Sequence, residues 1–106
     1  MCKTRVLSWN AQTMISQCID CREFSIWHNN ILLSFSRRED FTAFKRSVQA
    51  MDFDDLALPF PDGELRIVLR TPSEDVRFSF AGDEFENFSH SLGEALHVLE
   101  VIELMQ

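Results

Sequence analysis

Residues 23–36, with the sequence EFSIWHNNILLSFS, form the clearest β-hairpin in the chain and decide its fold. Two alternating runs flank Asn29 and Asn30, and asparagine tolerates the positive φ that a two-residue type I′ turn needs. This register pairs Phe24 with Phe35, Ile26 with Leu33, and His28 with Ile31 on one face, and Trp27 with Leu32 on the other. One face is apolar and the other is mixed, as expected when one side of a sheet covers a core.

The residues upstream of this hairpin predict another. Strands over 3–9 and 13–19 would flank a loop at 10–12. A three-residue loop gives the pairs Trp9 with Thr13 and Cys2 with Asp20. A loop that is one residue shorter or longer still brings the start of the chain within a residue or two of 18–21.

The three cysteines of the chain are the first candidate site, because Cys18 and Cys21 form a Cys-x-x-Cys pair and the hairpin brings Cys2 beside them. Three thiolates supply most of a zinc site, for which a fourth ligand is required. The nearest carboxylates in this topology are Asp20, Glu23, Glu39 and Asp40, whereas His28 lies roughly 20 Å away at the hairpin tip. Two interpretations stay open: a zinc site, or unliganded thiols of an intracellular protein. Asp20 opposes a redox role because it disfavours the thiolates.

A helix is predicted after residue 36. Ser36 and Glu39 have the spacing of a capping box. The apolar residues that follow at helical spacing are Phe41, Phe44, Val48 and Met51. Residues 52–63 contain two prolines and predict an extended connection. The side chains expected to pack back on the body are Leu56, Leu58 and Phe60.

The second half of the chain predicts a third hairpin and a long final helix. Strands over 65–70 and 76–80 with a four-residue loop give the pairs Arg70 with Asp75, Leu69 with Val76, Ile67 with Phe78, and Leu65 with Phe80. Asp83, with Glu86 three residues later, is the predicted helix cap. The core stripe of this helix is Phe85, Phe88, Leu92, Ala95, Leu96, Leu99 and Ile102.

These elements predict one α+β domain over residues 1–106, in the order ββββαββα. The three hairpins would form an antiparallel sheet with both helices packed on one face.

The charge distribution limits the possible partners. The net charge is −7, and residues 1–50 hold seven basic and four acidic side chains whereas residues 51–106 hold three and thirteen. An acidic half repels nucleic acid and anionic membranes. No apolar run approaches the roughly 20 residues of a membrane span, the N-terminus is too short in apolar residues for a secretory signal, and an odd cysteine count argues against a disulfide framework. We expect a cytoplasmic protein.

The start Cys2-Lys3-Thr4, followed by Cys18-Ile19-Asp20-Cys21 in a chain this short, resembles an uncharacterised family of small bacterial proteins. The likeness covers mainly the first third of the chain. It implies no activity, substrate or catalytic residue.

The function predicted from these patterns is a non-catalytic domain that binds itself or a protein partner. The last helix is apolar on more sides near its end than one core stripe requires. The residues expected in a homodimer contact are His97, Val98, Val101 and Leu104. One alternative is a zinc-dependent enzyme with an open coordination position and Glu39 as general base. The other is a weak nucleic-acid binder using the basic residues Arg37, Arg38, Lys45 and Arg46, with Trp9 or Trp27 as a stacking platform.

Overall fold

Seven β-strands and three helices make up the computed structural model, which describes residues 3–106. Their order is β1 (Thr4–Asn10), β2 (Thr13–Cys18), β3 (Phe24–His28), β4 (Ile31–Phe35), α1 (Arg38–Gln49), α2 (Phe53–Leu56), β5 (Leu58–Pro59), β6 (Leu65–Arg70), β7 (Arg77–Phe80) and α3 (Gly82–Leu104). The predicted α+β class is confirmed. The predicted order holds for the main elements, and the short elements α2 and β5 are additional.

The strands divide between two antiparallel sheets, whereas the sequence predicted one. β1 to β4 form a four-stranded sheet in chain order, and β5, β6 and β7 form a three-stranded sheet. Helix α3 contacts β1 and β2 of the first sheet, β6 and β7 of the second, and α1. With 23 residues, it is about 34 Å long. One long helix therefore provides a common support for both sheets.

The hydrophobic core lies between α3 and the inner faces of the sheets. Its largest fully buried apolar side chains are Phe24, Phe41, Phe88, Ile15, Ile26, Ile67, Leu92, Leu99 and Val48. The core stripe predicted for α3 is confirmed: its members are buried except Leu96 and Ile102, which are partly buried against the core. Both sheets and helix α1 therefore pack against this helix.

The β3–β4 hairpin has the predicted register. Phe24 pairs with Phe35 and Trp27 pairs with Leu32, with a two-residue turn in between. Asn29 adopts a positive φ of 52° in that turn, as asparagine does at low cost. This hairpin fixes which side chains face the core and which face outward.

The β1–β2 hairpin has a shorter turn than predicted. Asn10 pairs with Thr13, so the loop has two residues rather than three. Trp9 consequently pairs with Met14 instead of Thr13. The turn begins at Ala11, which adopts a positive φ of 51°.

A β-bulge in β1 restores the predicted register at the open end of this hairpin. The register shifts by one residue between Val6 and Ser8, and beyond that point Thr4 pairs with Cys18. Leu7 and Ser8 are both buried, because the extra residue turns two consecutive side chains inward.

The strained turn at Ala11 leads to a prediction. We expect Ala11→Gly to stabilise the protein by about 0.5–1 kcal/mol, because a left-handed non-glycine residue costs roughly 1–2 kcal/mol and the added flexibility of the unfolded chain offsets part of the gain. The same substitution at Ala43, exposed within α1, should destabilise by about 1 kcal/mol. Urea unfolding of both variants shows whether each substitution raises or lowers the free energy of unfolding. A destabilised Ala11→Gly variant would contradict the strain at this turn.

The β6–β7 hairpin differs from the predicted register by two residues. The observed pairs are Ile67 with Phe80, Val68 with Ser79, Leu69 with Phe78, and Arg70 with Arg77. The Thr71 hydroxyl donates to the Val76 carbonyl at 2.7 Å and accepts from the Ser73 amide at 3.2 Å. This side chain closes a six-residue loop in place of the predicted four-residue one. Because the error is an even number of residues, the faces of the strands are unchanged.

Both predicted helix caps are wrong by one or two residues. Helix α1 has Arg37 rather than Ser36 at its N-cap, with no side-chain hydrogen bond. Helix α3 has Ala81 rather than Asp83, and the Ala81 amide donates to Glu84 Oε1 at 2.9 Å. The Glu84 carboxylate, in the first turn of α3, thus accepts a hydrogen bond from a backbone amide at the start of the helix.

The connection between α1 and β6 is covered by a different residue from those predicted. Leu56 and Leu58 are exposed, and Phe60 is partly buried. Phe53 packs on the core instead, with its ring centroid 6.4 Å from that of Phe85. The short helix α2 directs the Phe53 side chain toward the core.

Candidate functional site

Four apolar side chains form a continuous row across the outer face of the four-stranded sheet. Trp9 pairs with Met14, Met14 pairs with Trp27, and Trp27 pairs with Leu32. Each strand therefore contributes one large side chain to the same line. We call this line the tryptophan row, and it contains both tryptophans of the chain.

The tryptophan row is exposed to an unusual degree for such large side chains. The exposed fractions are 73% for Trp9, 52% for Trp27 and 60% for Leu32. Both indoles and Met14 line a shallow depression of about 320 Å³ near the hairpin turns. Large contiguous apolar surface of this kind marks an interaction site more often than a solvated surface.

The neighbouring row on the same face has smaller side chains, three of the four being serine. Val6 pairs with Ser16, Ser16 with Ser25, and Ser25 with Ser34. Neither row contains a charged side chain. These two central rows of the outer face are therefore uncharged, and one of them is apolar. Sequence reasoning missed them because the wrong turn length placed Trp9 opposite Thr13.

The Cys-x-x-Cys pair lies in the turn between β2 and β3, at the opposite end of the sheet from the hairpin turns. Cys18 is buried and Cys21 is exposed. Cys2, predicted as the third ligand, lies outside the described residues. Within residues 3–106, no group of three or more His, Cys, Asp or Glu side chains is placed to hold a metal ion.

His28 lies in the core rather than at a binding site. Its Nδ1 is 2.8 Å from the Thr13 hydroxyl, and its ring meets those of Phe78, Phe80 and Phe88 edge-on at 5.0–5.6 Å. Burial lowers the pKa of His28, and the negative charge of Glu84 opposes this shift. The imidazole is therefore a neutral structural group near pH 7.

The predicted contact patch at the end of α3 is only partly available. Leu104 is 86% exposed, and Val101 and His97 are exposed. Val98 is partly buried against the core and contributes less. In the described part of the chain, no helix, α3 included, is both long and apolar enough to cross a lipid bilayer.

The predicted basic cluster is partly neutralised. Arg38 Nη1 donates to Glu103 Oε1 at 2.7 Å, and this contact lowers the pKa of Glu103. Arg37 Nε donates to Glu39 Oε2 at 3.3 Å. Lys45 is partly buried. Helix α1 packs on the inner side of the sheet, so the structure does not bring these cations together with Trp9 or Trp27.

A larger groove of about 720 Å³ lies between β4, α1 and β6. Phe35, Phe44, Met51 and Leu69 contribute to its lining. All four also belong to or pack against the core. Asp40 and Arg70 also line the groove.

Comparison with curated proteins and with solved structures gave no match in either set. A family model described as a family of unknown function, DUF6686, matches residues 1–101. The predicted resemblance to an uncharacterised family is confirmed. The match covers nearly the whole chain, and the protein therefore belongs to the DUF6686 family.

Proposed function

We propose that this protein is a non-catalytic module that associates with a second copy of itself through the outer face of the four-stranded sheet. The observation that supports the proposal is the tryptophan row, in which both tryptophans and Leu32 are more than half exposed. Tryptophan is enriched among the residues that carry most of the binding energy in protein interfaces.

The size of the face fits a modest dimer interface. With a side-chain surface of roughly 150–250 Å² for an aromatic residue, the exposed parts of Trp9, Trp27 and Leu32 amount to about 400 Å². Val6, the serines and the turn residues enlarge this area toward the roughly 800 Å² per partner of a standard interface. Two such sheets pack face to face at a separation of about 10 Å.

The charge distribution favours a second copy as the occupant. The protein carries a net charge of −7, yet the two central rows of the face carry no charge. Face-to-face packing thus joins the uncharged surfaces. The exposed carboxylates of α3, such as Glu86 and Glu100, lie on the helix side of the sheet, away from the contact. A nucleic-acid partner would need cations at this face, and its two central rows carry none.

The end of α3 is the second candidate for self-association. Val101 and Leu104 are exposed there, but they occupy one helical turn beside Glu100 and Glu103. The sheet face presents more apolar surface on a rigid support. Variants in each region distinguish the two candidates.

Both tryptophans of the chain lie in the tryptophan row, so intrinsic fluorescence reports directly on the contact. We expect the protein to sediment as a dimer at micromolar concentration, with emission shifting to shorter wavelength as the dimer forms. Trp27→Ser should weaken the dimer by about 30-fold or more, the effect of losing about 2 kcal/mol.

Val101→Glu is the matched control, because it places a charge at the end of α3 and should leave the dimer unchanged. A protein that stays monomeric up to about 100 μM would contradict self-association. Dissociation by Val101→Glu, with Trp27→Ser dimeric, would assign the contact to the helix end instead.

The enzyme alternative receives no support from its proposed base. The pKa of Glu39 lies below its ordinary value because its own backbone amide and the Arg37 guanidinium stabilise the carboxylate. A carboxylate with a lowered pKa is a weak base near pH 7. The non-catalytic interpretation is therefore the one proposed.

A further inference from the structure

The turn that carries Cys18 and Cys21 has its backbone directed at a sulfur atom. The Cys21 amide donates to Cys18 Sγ at 3.4 Å. Cysteine binds metals through this sulfur atom. The turn therefore holds the buried sulfur atom in a defined position.

Two backbone hydrogen bonds hold the same turn closed. The Cys18 amide donates to the Glu23 carbonyl at 2.9 Å, and the Arg22 amide donates to the Cys18 carbonyl at 2.9 Å. Arg22, directly after the second cysteine, adopts a positive φ of 65°. A non-glycine residue in this conformation costs about 1–2 kcal/mol and recurs at ligand-binding turns. The loop is thus fixed in a shape that its own sequence does not favour.

The start of β1 runs beside this turn. The Ile19 amide donates to the Lys3 carbonyl at 2.8 Å, and the Lys3 amide donates to Asp20 Oδ2 at 3.5 Å. Lys3 is therefore paired with the residues between the two cysteines. Cys2 directly precedes it in the sequence.

We propose that Cys2, Cys18 and Cys21 together bind one Zn²⁺ ion, with an oxygen ligand in the fourth position. Within the described residues the Cys-x-x-Cys turn has no third ligand of its own, so the proposal depends on Cys2 as the third thiolate. Thiolate ligands select zinc over the hard cations magnesium and calcium. The site is independent of the tryptophan row, because it lies at the other end of the sheet.

The surrounding charge fits a thiolate-rich site. Three thiolates and one Zn²⁺ carry a net charge of −1. Arg22 directly follows Cys21 in the sequence, and Lys3 is paired with Ile19 and Asp20 of the turn. These two cations oppose the excess negative charge of the bound site, to which the Asp20 carboxylate adds.

Elemental analysis of the whole chain tests this proposal. Protein purified under reducing conditions, without a chelator or an affinity metal, should contain about one zinc per chain. X-ray absorption at the zinc edge should show three sulfur ligands at about 2.3 Å and one oxygen ligand at about 2.0 Å. Cys2→Ser and Cys21→Ser should each lower the zinc content to below about one-tenth per chain.

One double variant serves as a further control. His90→Ala combined with His97→Ala removes the exposed histidines of α3 and should leave the zinc content unchanged. If Cys18→Ser fails to fold because that residue is buried, Cys21→Ser still decides, because its side chain is exposed. Zinc below one-tenth per chain after reconstitution, zinc retained by Cys21→Ser, bound iron in its place, or four sulfur ligands would each overturn the proposal.

Discussion

Replacing Phe88 with alanine is expected to destabilise the protein by about 3–5 kcal/mol. Phe88 is fully buried, and its ring centroid lies 5.0–6.2 Å from those of His28, Phe44, Phe78 and Phe80. Removing the ring leaves a cavity at the point where both sheets meet α3. Because whole domains are stable by only about 5–15 kcal/mol, this variant should be close to unfolding at 37 °C.

Urea unfolding followed by circular dichroism measures this effect. Leu104→Ala removes an apolar side chain of the same helix that is almost fully exposed, and it should change the unfolding free energy by less than about 0.5 kcal/mol. A loss below about 1.5 kcal/mol for Phe88→Ala would mean that the two sheets do not share this core.

The second large effect expected is a loss of stability as the pH falls below about 6.5, caused by His28. Its pKa in the folded protein is lowered by burial, so the unfolded chain binds the proton first. The neutral His28 side chain therefore makes its full contribution to the free energy of unfolding above pH 6.5. This contribution is lost as the pH falls toward the pKa of the folded state, and the free energy of unfolding changes by at most about 1.4 kcal/mol per pH unit. Glu84 faces the ring from α3 and reduces the loss.

Unfolding curves at pH 7.5 and 5.5 test this prediction. His28→Gln should flatten the pH dependence, whereas His97→Gln, which removes an exposed histidine, should leave it as in the wild type. The lowered pKa values of Glu39, Asp62 and Glu103 act in a more acidic range, below about 4.5. An unchanged slope in His28→Gln would assign the acid sensitivity to another group.

Local sequence patterns predicted those parts of the fold in which the order of apolar and polar side chains determines the strand register or the buried face of a helix. The β3–β4 hairpin has the predicted register because Asn29 supports the turn and the alternation of Phe24 and Ile26 with polar or exposed residues defines one buried face. The α3 stripe was predictable for the same reason, since the helical period of its apolar residues is unbroken. The family resemblance came from the cysteine spacing at the start of the chain.

Individual contacts determined the loop length and the sheet arrangement that the sequence did not predict. The six-residue β6–β7 loop depends on the Thr71 hydroxyl, which reaches the Val76 carbonyl, and opposite charges at Arg70 and Asp75 favoured the wrong register. The separation into two sheets depends on α3 contacting both. Neither interaction leaves a periodic signal in the sequence.

The candidate site on the sheet was hidden by the bulge in β1. A two-residue turn at Ala11 brings Trp9 beside Met14, and the extra residue at Leu7 then shifts the rest of the strand by one. A sequence pattern does not reveal such a shift, because inward and outward side chains alternate regularly on each side of the bulge but not across it. The cysteine turn was found from spacing alone, but its hydrogen bond to sulfur and the positive φ of Arg22 needed the structure.

The same bulge also protects one edge of the four-stranded sheet, the edge formed by β1, from the addition of further strands. A free strand edge with regular backbone groups recruits further strands without end, and an irregular strand such as β1 interrupts that ladder. The proposed contact through the tryptophan row would instead use one patch on both copies related by a two-fold axis, so each copy would occupy the surface that a third needs. Rising concentration should therefore fill the dimer population and then stop, without fibres.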